Sequence, residues 1–343
     1  MPKESLMKAV GYRVAGPLSA GDALVDLELP AAEPGPHDLR VAIRAVSVNP
    51  ADVQMRARMS PPEGKVRVLG FDAAGVVNAI GSNVTLFKPG DEVFYAGAMD
   101  RPGTNSELHL VDERVVGSKP KTLSFSEAAA LPLTSIAAWE LLFERLAIPY
   151  GVKTQSGALL IINGAGGVGS ILTQLARRLT GLTVIATASR PETEAWCSRM
   201  GAHHVINHHR PLDQGLKEIG IGEVRYVAGL TATDRHLPEI AEAIAPHGRL
   251  ALIDDPRAFD IVGLKRKSVS VHWELMFTPT LYRTPDMVMQ HHLLNEVAAL
   301  VDAGLLRTTL TEDAGLINAF NLKRVHAQVE SGRSIGKTVL SGF

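Results

Sequence analysis

The sequence predicts an α/β chain in which a β-rich region is followed by a doubly wound parallel sheet of the Rossmann kind. Three observations carry that expectation. The apolar run Ala158-Leu159-Leu160-Ile161-Ile162-Asn163 breaks into Gly164-x-Gly166-x-x-Gly169. Strand-like and helix-like stretches alternate from there to Trp273. Before about residue 130 the texture is instead short β-type runs broken by Gly and Pro.

The glycine turn has a physical logic. Gly164 permits the tight strand exit, Gly166 lets the backbone approach a pyrophosphate, and Gly169 lets the next helix pack on the strand. The helix N-terminus that follows then presents free N–H groups to phosphates. The pattern predicts a bound nicotinamide or flavin cofactor.

In chain order, strands are expected over 8–12, 38–47, 74–80, 92–96 and 106–111, with a β-rich domain as the result. Helical texture begins at Ser126 and covers 135–146, where Ile136, Trp139, Leu142 and Phe143 share a face. Six strands follow, at 158–163, 184–188, 204–206, 225–230, 249–253 and 268–273. The helix 170–180 carries Ile171, Leu172, Leu175, Ala176 and Leu179 at helical spacing and ends at Gly181. The tail reads as a helix over 286–302, a strand over 305–310, a helix over 317–331 and a final strand over 336–340.

Composition bounds the function. A chain of 343 residues, 45% hydrophobic and 21% charged, suits two soluble domains. A net charge of −1 argues against nucleic acid as a partner, and Lys265-Arg266-Lys267 reads as a solvated loop. No apolar stretch reaches the roughly 18 residues of a membrane span. Met1 to Leu6 lacks the apolar core of an export signal, so a cytoplasmic protein is expected. The single cysteine, Cys197, excludes an internal disulfide and reads as packing.

An NAD-type site would place a carboxylate about 20 residues past the last glycine to hold the adenosine ribose. Here the second strand runs into Ala188-Ser189-Arg190-Pro191, so a hydroxyl and a guanidinium stand in that place. Arginine pairs bidentately with phosphate, which predicts NADPH over NADH; an ordinary Ser-Arg pair at a helix start is the competing reading.

Several further motifs carry a resemblance. They are Val46-Ser47-Val48-Asn49-Pro50-Ala51-Asp52, Leu69-Gly70-Phe71-Asp72-Ala73-Ala74-Gly75-Val76-Val77 and Lys88-Pro89-Gly90-Asp91-Glu92-Val93. Gly103-Thr104-Asn105-Ser106-Glu107 and Ala129-Ala130-Leu131-Pro132-Leu133-Thr134 continue the series. With the glycine turn, they resemble the medium-chain dehydrogenase/reductase superfamily over nearly the whole chain, in its zinc-free quinone oxidoreductase-like branch. The late segment Val271 to Phe277, with Gln290-His291-His292, is similar to the proteins called zinc-type alcohol dehydrogenase-like. The resemblance implies a GroES-like catalytic domain at 1–130, a Rossmann NADPH-binding domain at 131–280 and a C-terminal return to the catalytic domain at 281–343. It also implies an active cleft between the two domains and a homodimer.

Zinc-using relatives take a cysteine from the first motif and a histidine from Gly-His-Glu in the second; here those places hold Asn49 and Phe71. No metal is therefore expected. Without a Lewis acid, the expected reaction is hydride transfer from NADPH to quinones or α,β-unsaturated carbonyls, the small-molecule partners. A non-catalytic NADPH-binding sensor or scaffold is the alternative, and a zinc alcohol dehydrogenase a more distant one.

The resemblance places Asn49 near the nicotinamide ribose and the substrate, while its own context equally allows a turn residue before Pro50. Asp52 is expected to pin that turn. Relatives often carry a tyrosine two residues beyond the aspartate, where this chain has Gln54, so Tyr95 is the substitute candidate for proton donation. Thr134 is expected near the nicotinamide or its phosphate, Gly166, Gly167 and Val168 at the pyrophosphate, and Ser189, Arg190 and His208 at the 2′-phosphate. Leu230, Thr231 and Ile253, at strand ends, are expected to border the ribose and nicotinamide. Trp273, Met276 and Phe277 are candidates for the substrate pocket wall. Glu274 is expected to be a buried acid without a catalytic role.

Overall fold

The computed structural model describes residues 6–154 and 157–343. The segment 1–5, on which the reading of the N-terminus partly rests, lies outside the described residues. The chain divides into two compact units, Met1–Leu133 with Phe277–Phe343, and Thr134–Met276.

The second unit is built on six parallel strands. From one edge to the other they are His204–Ile206, Thr183–Thr187, Ala158–Ile162, Val224–Gly229, Ile244–Leu252 and Ser270–Trp273. In sequence order that is 3-2-1-4-5-6, the doubly wound arrangement, in which the strand order reverses beside the first strand. Ala158–Ile162 is buried at every position, because helices cover both faces of a parallel sheet and the strand must be apolar throughout. Its Leu160 and Ile162 pack with Ile185, Val227, Leu250 and Ile240 in one core. Two boundaries move from expectation for backbone reasons. Ser268 is left-handed at φ 50°, so the last strand starts only at Ser270. The expected helix 135–146 is α-helical over Pro132–Trp139 and then widens into a π-helical turn over Glu140–Arg145.

The first unit is mostly antiparallel. A three-stranded sheet pairs Leu6–Tyr12 with Val25–Pro30 and Arg67–Val68. The larger sheet runs Leu310–Asp313, Lys337–Ser341, Asp38–Ser47, Asp72–Ile80, Glu92–Ala96 and Val116–Ser118, with Leu108–Asp112 also pairing to Asp38–Ser47. The last strand of the chain therefore lies beside one of the first, with Leu340 opposite Val46 and Val339 opposite Ser47. Asp72 lies opposite Ser47 from the other side.

Sequence reading missed the strands Val25–Pro30, Arg67–Val68 and Val116–Ser118, and the helix Pro50–Arg58. The expected strand 305–310 is a correction. Leu305 and Leu306 both give their N–H groups to Leu300 O, at 2.9 and 3.2 Å, closing the helix Met289–Asp302, so strand pairing begins only at Leu310. No helix among the described residues is long and apolar enough to cross a membrane.

Candidate active site

Asn49 sits where three neighbouring strands of the first unit converge. The central strand ends at Ser47, and Pro50 at once starts the helix Pro50–Arg58 with Asn49 as its cap. Asp52 pins this turn, accepting from Asn49 N at 2.8 Å and from Gly70 N at 3.0 Å. Burial raises the Asp52 carboxyl to about 7, against those two N–H bonds and the charge of Lys337, which lower it.

The Asn49 amide is held at both ends. Its Nδ2 donates to Asp72 Oδ2 at 2.8 Å, and its Oδ1 accepts from Lys337 Nζ. Asp72 also accepts from Ser47 Oγ at 2.7 Å, Leu133 N at 2.7 Å and Lys337 Nζ at 3.1 Å. The third Lys337 donor goes to Val48 O at 3.0 Å. All four side chains are buried, with Asp72 at 0% and Lys337 at 4% exposure. A buried ion pair is tolerable only when its remaining hydrogen-bonding groups are satisfied, and here they are. Asp72 and Lys337 were not found from the sequence. Asp72 lies within the Leu69–Val77 motif, which assigns it no role, and Lys337 carries no local signal.

The second unit holds the glycine turn. Asn163, at φ 63°, leaves the first strand; its N–H donates to Thr187 Oγ1 at 2.9 Å and its Nδ2 to Thr231 Oγ1 at 3.2 Å. Side chains at two of the glycines would collide with the fold itself. A Cβ on Gly164 would lie 2.6 Å from Ala186 Cβ, and one on Gly169 would lie 2.6 Å from both Asn163 O and Gly164 O. Gly166 differs, since its added Cβ meets nothing nearer than Asn163 Nδ2 at 3.3 Å. The three roles read from the sequence thus separate: Gly164 and Gly169 serve packing, and Gly166 leaves room beside the cap of the helix Gly167–Leu179. Gly166, Gly167 and Val168 are half-buried, so the first N–H groups of that helix stand at an accessible turn that fits a pyrophosphate.

Ser189 and Arg190 follow the second strand as expected, both half-buried, with Arg190 capping the helix Pro191–Met200. Arg190 Nε lies 3.3 Å from Glu192 Oε1. His208 shares a hydrogen bond of 3.1 Å with Thr187 Oγ1. Burial, then the neighbouring His209 and His236, lowers His208 to about 4, so near neutral pH it offers a phosphate an uncharged ring rather than a cation. Leu230 is buried, Thr231 exposed and Ile253 half-buried, and Ile253 N bonds to Gly229 O at 3.1 Å between adjacent strand ends. Thr134 is buried in the helix Pro132–Trp139.

Tyr95 requires correction. It is wholly buried inside the larger sheet of the first unit, its hydroxyl bonded to His109 Nδ1 at 3.0 Å while His109 Nε2 bonds Pro102 O at 2.9 Å. The carbonyl can only accept, so Nε2 carries the proton, Nδ1 accepts, and the tyrosine proton is spent on the histidine. Burial raises the hydroxyl well above its ordinary value. Of the pocket candidates, Trp273 is 56% exposed, whereas Met276 and Phe277 are buried. Phe277 packs on Phe71 with centroids 4.6 Å apart. Glu274 is buried and ion-paired to Arg145 at 2.8 Å.

The residues do not fit a catalytic zinc. Position 49 holds an amide whose oxygen already receives an ammonium, and a second cation there would be repelled; position 71 holds a ring packed on Phe277. Among the described residues no three His, Cys, Asp or Glu side chains are grouped to hold a metal ion. The buried Cys197 thiol is pushed up to about 12 by burial, so it is no thiolate ligand.

A doubly wound sheet whose glycine turn can fit a pyrophosphate is the arrangement of dinucleotide-binding proteins. Comparison with known proteins agrees. Residues 35–137 match the alcohol dehydrogenase GroES-like domain and residues 200–340 the zinc-binding dehydrogenase family. A zinc-type alcohol dehydrogenase-like protein of Staphylococcus aureus (strain MRSA252) is 40% identical, covering 98% of this chain and 100% of its own length. A quinone oxidoreductase of Pseudomonas aeruginosa is 30% identical, covering 90% of this chain and 92% of its own. A crystal structure from Rhizobium etli CFN 42, provisionally named a zinc-dependent alcohol dehydrogenase, superposes with a TM-score of 0.95 at 56% identity over 99% of both chains. The chain belongs to the medium-chain dehydrogenase/reductase superfamily and is an oxidoreductase of that type.

Proposed function

We propose that this chain reduces quinones or α,β-unsaturated carbonyls with NADPH and without a metal. The observation that carries the reading is the Asn49 centre, an amide fixed between Lys337 and Asp72 at the position where, by the resemblance, zinc-using relatives carry a cysteine ligand. The 30% identity to a quinone oxidoreductase supports the substrate class.

NADPH, when bound, supplies a hydride from its nicotinamide C4. The conjugated carbon of the acceptor takes that hydride, its carbonyl oxygen takes the displaced electron pair, and a proton from water completes the reduction. For this the chain supplies orientation and one positioned donor, Asn49 Nδ2, for the oxygen as it gains charge. Gly166, Gly167 and Val168 would hold the pyrophosphate, and Asn163 and Thr231, already bonded to each other, would shape the same rim. Ser189 and Arg190 would read the 2′-phosphate, with His208 as an uncharged partner. Thr134, Leu230 and Ile253 would line the nicotinamide side, and Trp273, Met276 and Phe277 remain candidates for the pocket wall. A homodimer completes the proposal, supported by the edge position of Ser270–Trp273 and the exposure of Trp273 at 56% and Leu275 at 49%.

The test is NADPH oxidation across quinones, enals and simple ketones, with and without a chelator. Turnover of conjugated acceptors that survives chelation is expected. Turnover confined to simple ketones, or abolished by the chelator, defeats the proposal. NADPH binding with no turnover of any acceptor would establish the sensor or scaffold reading instead.

A further inference from the structure

We infer that Lys337 is a positioning residue that decides which end of the Asn49 amide faces the reacting oxygen. This rests on the reading above, in which Asn49 serves a metal-free hydride acceptor.

The two ends of an asparagine amide are nearly equal in size, so packing alone cannot orient it; hydrogen-bond partners must. Here the partners carry opposite charges. Lys337 Nζ donates to Oδ1, and Nδ2 donates to Asp72 Oδ2 at 2.8 Å. Rotating the amide by half a turn would set its oxygen against a carboxylate and its NH2 against an ammonium, replacing two hydrogen bonds with two repulsions.

The partners are themselves fixed. Lys337 spends its other donors on Val48 O at 3.0 Å and Asp72 Oδ2 at 3.1 Å, while Ser47 Oγ and Leu133 N, each at 2.7 Å, anchor Asp72. The strand register supplies the placement. With Val339 opposite Ser47 on antiparallel strands, Lys337 falls opposite Asn49 two residues on. Both charges are buried, so water does not compete for these contacts.

A defined donor follows. One Nδ2 hydrogen goes to Asp72, and the other is the side-chain donor of Asn49 that is not spent within the chain, among the described residues. Donation from Lys337 into Oδ1 draws electron density from the amide and strengthens that remaining N–H as a donor. Lys337 need not touch the substrate; it acts through Asn49.

Lys337→Met alone would strand the Asp72 carboxylate, so the informative variant is Lys337→Met with Asp72→Leu, which removes the buried pair together. The double variant is expected to keep a cooperative melt and bind NADPH, read by fluorescence titration, within about threefold of wild type, while kcat falls about thirtyfold or more. Lys337→Arg keeps a cationic donor and is expected to retain most of kcat. A double variant with wild-type kcat overturns the inference. If it does not fold, the native chain decides through 15N NMR of the Asn49 side chain, assigned by its loss in Asn49→Ser. Because Oδ1 rather than Nδ2 meets Lys337, only weak contacts between the Lys337 methylene hydrogens next to Nζ and the Asn49 Nδ2 hydrogens are expected; strong contacts between them, as a flipped or interconverting amide gives, overturn the inference. Wild-type protein that turns over no conjugated acceptor defeats the parent reading alone, since the amide orientation is measured without substrate.

Discussion

The Asn49 centre and the glycine turn solve opposite problems. At Asn49 two full charges are buried, and every hydrogen bond that steadies them comes from a side chain or backbone group of the first unit. At Gly166 the backbone of the second unit stays half-buried, with space left at the cap of a helix. One centre works by occupation and the other by omission. A substitution should therefore damage them differently: folding suffers first at Asn49, and binding first at Gly166.

The sharpest break in that contrast is Asp72→Ala, which leaves the Lys337 ammonium buried without its carboxylate. A stability loss of about 3–5 kcal/mol is expected, read by denaturant titration. A loss below about 1 kcal/mol would mean that water reaches the pair. Next comes a matched pair in the turn. Gly169→Ala forces a Cβ against two carbonyl oxygens and should cost about 1–3 kcal/mol of stability. Gly166→Ala should melt like wild type yet bind NADPH about tenfold or more weakly by fluorescence titration, because its methyl enters the phosphate's space. Equal stability losses in the two would erase the distinction between packing and binding glycines.

Arg190→Ala should lower the preference for NADPH over NADH by roughly tenfold, the scale of one or two charge-assisted hydrogen bonds, measured as the ratio of kcat/KM values. An unchanged ratio would place 2′-phosphate recognition elsewhere. The gentlest perturbation is acid. Burial lowers His109 to about 4 and His326 to about 3, so the unfolded chain binds protons more readily than the folded one below about 6.5. Their contribution is complete above that pH and is lost as the pH falls from about 6.5 toward 4 and 3. Each should cost about 1.4 kcal/mol per pH unit in that window. Among the described residues neither ring nitrogen of His326 has a hydrogen-bond partner, so His326→Phe should flatten part of the slope. A slope unchanged by that substitution would assign the acid sensitivity to other groups.

The cofactor unit was largely legible because its signals are local. The apolar run, the glycine spacing and the helical periodicity each lie within about 30 residues, and each has one physical reading. The last strand starts late because Ser268 is left-handed, whereas Ile244–Leu252 begins five residues ahead of the expected 249 and other edges shift by one residue. The first unit was less legible. Its short strands Arg67–Val68 and Val116–Ser118 are fixed by partners far along the chain rather than by their own pattern. Tyr95 was misjudged for the same reason: a tyrosine in a strand carries no mark of whether its hydroxyl meets a substrate or His109.

The sequence by itself determined the parallel sheet and the position of the glycine turn, since each depends on residue types at fixed spacing; the reading of Asn49 and Phe71 as standing at zinc-ligand places is what the family resemblance implies. Only the tertiary structure decided what holds Asn49. Its partners Asp72 and Lys337 lie 23 and 288 residues away in sequence, and the pairing of the first strands with the last brings them within hydrogen-bond reach. Spacing along a chain records local geometry, whereas the burial of opposite charges around one amide is a property of the assembled sheet.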